Sequence, residues 1–183
     1  MFKAVCVFCG SKSGVDPVYA TAAQEVGSGL ARRGIEVVYG AGSGGLMGVV
    51  AQAALSAGGR VVGIIPDSLT SLEGVPDNLT ELYIVKTMHE RKALMAERSD
   101  AFIALPGGFG TLDELCEILT WAQLGFHSKP IGLLNVNGFY DLLLALFDQA
   151  QRTGFLRVEH RNLAQSHTDF STLLSMMESA SRQ

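Results

Sequence analysis

Ala101-Phe102-Ile103-Ala104-Leu105-Pro106-Gly107-Gly108-Phe109-Gly110-Thr111-Leu112-Asp113-Glu114 runs from an apolar stretch through a glycine-rich turn into a segment of helical period. The apolar run reads as a strand buried on both faces, because no polar residue alternates with the apolar ones. Pro106–Gly110 reads as a turn, and Thr111–Leu124 as a helix. The same grammar appears earlier. Ile35–Tyr39 is a predicted strand, Gly40–Gly45 a glycine-rich loop and Leu46–Ala57 a predicted helix.

Working outward, the alternation covers most of the chain. Lys3–Cys9 is the first predicted strand. Asp16-Pro17 supplies an N-cap followed by proline at the first helical position, and that helix stops near Gly34. Arg60–Ile65, Leu82–Val85 and Ile131–Leu134 are further strands. Met88–Arg98, Tyr140–Arg152 and Phe170–Ser179 are further helices. Pro66–Thr80 shows no clear period. Strands alternating with helices call for an α/β fold, a mostly parallel sheet with helices on both faces. Ligands of such folds bind beyond the carboxyl ends of the strands, where both glycine-rich loops fall. The pattern contains no linker or repeat, so residues 1–183 are expected to form a single domain.

The bulk numbers agree with this. The chain has 183 residues, of which 48% are hydrophobic and 17% charged, enough for a substantial core. A net charge of −4 argues against broad nucleic-acid binding, which needs a basic face. The N-terminal apolar run ends at Gly10, too short to cross a membrane, and no targeting segment is evident; a cytoplasmic location is expected. Cys6 and Cys9 form C-x-x-C, but within a strand they face opposite ways, and no second pair completes a metal site. No metal is expected.

The first loop, Gly40-Ala41-Gly42-Ser43-Gly44-Gly45, matches G-x-G-x-x-G, and Asp67 stands 22 residues after Gly45. That is formally a dinucleotide fingerprint, which raises an NAD-dependent oxidoreductase as one reading. The motif opens the second strand–helix unit rather than the first, and no hydride-transfer partner stands out. The second loop lacks the Gly-Lys-Ser/Thr of a Walker loop; its free N–H groups at a helix start suit a monophosphate. Thr111-x-x-Glu114 also has capping-box spacing, which would put Glu114 in the first helical turn and favour its carboxylate. On that reading Glu114 is a base, a cation stabiliser or a hydroxyl acceptor, and not a resting general acid. Upstream, Met88, Arg91 or Lys92, and Met95 share a helix face, where a basic pair could hold a phosphate while Met88 packs on a base.

These motifs, with Cys9-Gly10-Ser11, Gly45-Leu46-Met47-Gly48 and Met88-His89-Glu90-Arg91-Lys92, occur in the order seen in the Lonely Guy (LOG) family, which the chain resembles from its first strand to about Leu146. These are cytokinin riboside 5′-monophosphate phosphoribohydrolases, many carrying an older lysine decarboxylase label. The resemblance implies a Rossmann-like doubly wound fold, a homodimer, and hydrolysis of N6-substituted AMP, as by an AMP nucleosidase, to free base and ribose 5-phosphate. It implies Arg91 and Glu114 as the catalytic pair. It implies substrate contacts from Lys92, Gly107, Gly108, Phe109, Gly110, Thr111 and Thr120, with Met88, Gly10, Ser11, Gly42 and Glu73 added as candidate contacts. No cofactor is expected: decarboxylation ordinarily needs pyridoxal phosphate on a lysine, and none of Lys3, Lys12, Lys86, Lys92 or Lys129 has a recognisable site around it. The alternative reading is a non-hydrolytic carrier of a nucleotide or of the molybdenum cofactor on the same fold.

Overall fold

The computed structural model describes residues 1–181. Seven strands, β1 (Ala4–Phe8), β2 (Glu36–Tyr39), β3 (Val61–Pro66), β4 (Glu81–Val85), β5 (Ala101–Ala104), β6 (Ile131–Leu134) and β7 (Ala164–His167), form one sheet in the order β4-β3-β2-β1-β5-β6-β7. Every pairing is parallel, from Ala4 beside Glu36 to Leu134 beside His167. The helices between them are α1 (Pro17–Ala31), α2 (Gly45–Ser56), α3 (Thr70–Glu73), α4 (Met88–Glu97), α5 (Phe109–Gln123), α6 (Asp141–Arg152), α7 (Val158–Arg161) and α8 (Phe170–Ala180).

A parallel strand buries both faces, and β1 shows how. Val5, Val7 and Cys9 join the core under α1, α2 and α8; Ala4, Cys6 and Phe8 join the core under α4, α5 and α6. Cys6 and Cys9 therefore face opposite ways, as their strand spacing requires. Asp16 caps α1, its side chain accepting from Val18 N at 2.9 Å with Pro17 in the first turn. Against the central apolar strands, β4 alternates half-buried with exposed positions, as suits an edge.

The sequence signals miss α7 and β7. β7 reads Ala-Gln-Ser-His and buries only Ala164, so this second edge strand leaves no apolar run to detect. Pro66–Thr80 contains a 3₁₀ turn, Asp67–Leu69, running into the single turn of α3. The chain winds outward from β1 to β4, then returns to β5 on β1's other side. The loops after β1 and β5 thus diverge to opposite faces at the carboxyl edge, the crevice where such sheets take ligands.

Candidate active site

The β1 and β5 loops, the segment 67–73 and the starts of α2, α4 and α5 meet in that crevice. Gly10 N–H donates to Pro106 O at 3.0 Å, tying the β1 loop to the β5 loop, and Leu46 N–H donates to Gly10 O at 3.0 Å, tying α2 to both. Gly45 has a φ of +58°, and a Cβ there would collide with the Ser11–Lys12 backbone, so only glycine permits this approach. The resulting cavity, of about 250 Å³, is walled by Cys9, Gly10, Ser11, Met47, Leu69, Glu73, Met88, Arg91, the turn Gly108–Thr111, Asp113 and Glu114.

Helix α4 delivers Arg91. Thr87 caps it, accepting from Glu90 N at 3.1 Å, while Glu90 reaches back to Lys86 N at 2.8 Å. Thr87–Glu90 is therefore the side-chain cap of this site, a capping-box spacing in which Glu90 accepts from the residue before the N-cap. Arg91 on the inner face is 5% exposed and donates from Nη2 to Gly40 O at 2.8 Å. The same nitrogen lies 3.8 Å from Glu73 Oε2, and Nη1 lies 3.8 Å from Met88 Sδ. The guanidinium occupies the space a side chain at residue 40 would need, so Gly40 makes room for it. Among the described residues Arg91 Nε and Glu73 Oε2 are buried without a hydrogen-bond partner. A donor and an acceptor are thus left unmatched on residues of the same wall.

Helix α5 delivers the turn and Glu114. The expected Thr111–Glu114 capping box does not form. The glycines let the helix begin earlier, at Phe109, with Gly108 as N-cap and no side-chain cap bond. The first N–H groups of a helix have no partner within it. Leu112 N–H returns to Gly108 O at 3.1 Å, which leaves the N–H groups of Phe109, Gly110 and Thr111 at the cavity edge.

The early start also corrects the reading of Glu114. It lies beyond the first turn, half-buried, and burial lifts its carboxyl to about 7; Arg91 opposes that rise, and Asp113 adds to it. The expectation of a group held firmly as carboxylate by the helix start does not hold: near neutral pH the acid and carboxylate forms are both populated.

Of the residues singled out from sequence, Gly10, Ser11, Glu73, Met88, Arg91, Gly108, Phe109, Gly110, Thr111 and Glu114 come together at the cavity. Gly42 stands behind its wall, against Met47 and Glu73, and Gly107 faces a neighbouring hollow with Tyr19 and Phe139. Lys92 turns away into the α4–α5 seam, its Nζ 3.0 Å from Asp113 and 3.1 Å from Glu117. Thr120 lies farther along α5 in a separate hollow with Cys116, Phe147 and Phe155. Sequence reasoning missed Cys9, Met47, Leu69 and Asp113 as cavity residues; Cys9 ends the first strand just before the Gly10-Ser11 turn. Met47 follows the first glycine loop and Asp113 sits inside the second motif, so position beside a motif was the available signal; Leu69 had none.

A family model described as "Possible lysine decarboxylase" matches residues 47–177. A rice protein, "Probable cytokinin riboside 5′-monophosphate phosphoribohydrolase", is 52% identical over 177 residues, covering 97% of this chain and 78% of its own. An Arabidopsis thaliana cytokinin riboside 5′-monophosphate phosphoribohydrolase is 49% identical over 177 residues, covering 97% and 83%. The chain belongs to the LOG family. Among solved structures, the molybdenum cofactor binding protein of Rippkaea orientalis superposes with a TM-score of 0.74 at 23% identity, covering 98% of this chain and 97% of that one. That likeness establishes the α/β fold, while the family follows from the closer sequence relatives.

Proposed function

We propose that this LOG-family chain hydrolyses the N-glycosidic bond of adenosine 5′-monophosphate and its N6-substituted forms, releasing the base and ribose 5-phosphate. The observation that carries the reading is one cavity holding an uncapped helix start at one end and the Arg91–Glu73–Glu114 cluster beside it. The N–H groups of Phe109 to Thr111 and the α5 dipole bind the phosphate. The ribose then lies against the cluster, where its hydroxyls, both donors and acceptors, meet the cavity faces of Arg91 and Glu73. Departure of the base builds positive charge on the sugar. Ionised Glu114 stabilises that charge and orients the attacking water. Arg91 limits the cost of ionising Glu114. Met88, Met47 and Leu69 supply the apolar wall for the base.

Lys92, in the α4–α5 seam, is not set up for decarboxylation. A Schiff-base lysine must give up its proton, whereas Lys92 has its pKa raised: burial alone would lower it, but Asp113 and Glu117 outweigh burial.

A second part of the reading is a homodimer. Thr120 lies outside its own cavity, in a hollow it shares with the 89% exposed Phe155, and on α6 and α7 Leu142, Leu146 and Val158 are 86%, 56% and 57% exposed. A patch of this kind marks a partner surface, and a second copy seated there is the occupant that would give Thr120 a route to a nucleotide.

The test is a panel of AMP, N6-isopentenyl-AMP, the corresponding nucleosides and the triphosphates, with free base measured chromatographically. Release from monophosphates, abolished in Glu114→Gln with the fold retained, is the expected result. Tight binding without release would point instead to a carrier, and parental turnover in Glu114→Gln would remove that residue from the mechanism.

A further inference from the structure

The first glycine-rich loop has the form of a phosphate binder, yet beyond seating Arg91 at Gly40 the proposed chemistry gives its turn at residues 42–44 no task. Its helix start is already closed, since Leu46 N–H is taken by Gly10 O and the Gly45 backbone abuts Ser11. What the loop does hold is the segment that crosses the cavity. Ser43 Oγ donates to Glu73 O at 3.0 Å, and Ser43 N–H donates to Gly74 O at 3.0 Å and to Glu73 O at 3.3 Å. Gly74 has a φ of +62°, and a Cβ there would lie 2.8 Å from Ser43 Oγ, so glycine at 74 lets the two backbones close on each other. These contacts end at the carbonyl of the residue whose carboxylate faces Arg91 and whose Oε2 has no hydrogen bond of its own.

We infer that Ser43 is a positioning residue that latches the strap Asp67–Gly74 over the cavity and thereby sets Glu73 against Arg91 and the ribose. The loop's glycines serve a protein–protein backbone contact in place of a phosphate. Without the latch, Glu73 keeps only the single turn of α3, too short a helix to be stable alone, and the long 3.8 Å contact with Arg91; the Ser43 hydroxyl adds to two main-chain bonds from Ser43 N–H in holding it. The strap also carries Leu69 into the base wall, so the latch orders both ends of the substrate site.

The kinetic arm of the test rests on the proposed hydrolysis; a second arm, amide hydrogen exchange of residues 67–80, does not. Ser43 is exposed, so Ser43→Ala opens no core cavity. Loss of one neutral hydrogen bond corresponds to about a fivefold effect. The expected result is exchange across the strap faster by about that factor, kcat/KM on AMP lower by about three- to tenfold, a melting temperature lowered by no more than about 4 °C, and recovery of exchange and kcat/KM in Ser43→Thr. Gly74→Ala should act in the same direction. Placed in a Glu73→Gln background, Ser43→Ala should cost less than it does alone, because one of the two residues the strap positions is already disabled and only the Leu69 contribution remains. Unchanged exchange, or a Ser43→Ala loss that multiplies in full with that of Glu73→Gln, overturns the inference. A parent protein that releases no base sinks the hydrolase reading alone, and the exchange arm then decides the latch.

Discussion

Glu114 is the residue on which the pH behaviour turns. Its carboxyl is lifted to about 7, chiefly by burial, with Arg91 pulling against the rise. If the carboxylate is the working form, kcat/KM should climb with pH and reach half its plateau near 7, well above the ordinary carboxylate range. A profile flat from pH 5.5 to 8.5 would remove Glu114 ionisation from the rate. The same shift has a consequence for stability. A carboxyl with a raised folded pKa binds more protons in the native than in the unfolded state between its two pKa values. Stability therefore falls as pH rises from about 4.5 toward 7 and stays reduced above it. Glu114→Gln lacks this penalty and should be the more stable protein at pH 8, by up to ~3 kcal/mol, with the difference vanishing near pH 4. Thermal unfolding of both proteins across that range measures it. A Glu114→Gln protein less stable than the parent at pH 8 would mean that the side chain is held by bonds rather than strained by burial.

Helix α5 carries the corresponding argument at the scale of an element. Its value as an anion site lies in N–H groups that no side chain caps. Phe109 is the first helical residue, a position proline tolerates, and Gly108 before it is extended, which proline requires. Phe109→Pro should therefore keep the helix while deleting one donor, and Phe109→Ala controls for loss of the ring, which is 93% exposed. A hydrogen bond to a charged group sets the expected gap between the two variants: about tenfold weaker inhibition by ribose 5-phosphate in Phe109→Pro. Equal inhibition constants would place the phosphate elsewhere. The start of this helix is also where the sequence misled. Strand, turn and helix were all legible in Ala101–Glu114, because apolar runs and glycines report on local backbone. Thr-x-x-Glu spacing, however, fits a cap only if the helix begins after Thr111, and three glycines at 107, 108 and 110 leave its starting point undetermined by pattern. The true cap, Thr87–Glu90, has the same spacing one strand–helix unit earlier. Glu73 came only from the family likeness, since the strap has no period to read, and the latch at Ser43 is a contact across 30 residues that no local pattern encodes.

The whole molecule adds what neither residue nor element supplies. The doubly wound order places the β1 and β5 loops side by side although 97 residues separate Gly10 from Gly107; the strand–helix alternation put both glycine-rich loops at the carboxyl edge, and the strand order adds the juxtaposition that makes the cavity. What alternation does not reveal is that α6 turns Leu142 and Leu146 to solvent: residues four apart share one helix face, and among the described residues no element covers this stripe. If a second copy does, Leu142→Lys with Leu146→Lys should leave the fold intact, because neither side chain is in the core, while converting the particle from dimer to monomer in analytical ultracentrifugation. The double variant lies outside the cavity, so its kinetics separate two ideas. A monomer that keeps folded-state stability but loses most turnover means that the partner's α5, with Thr120, completes the site. A monomer with parental kcat/KM would confine catalysis to one chain and leave Thr120 without a role toward the nucleotide. A parent protein that sediments as a monomer at micromolar concentration would sink the dimer itself.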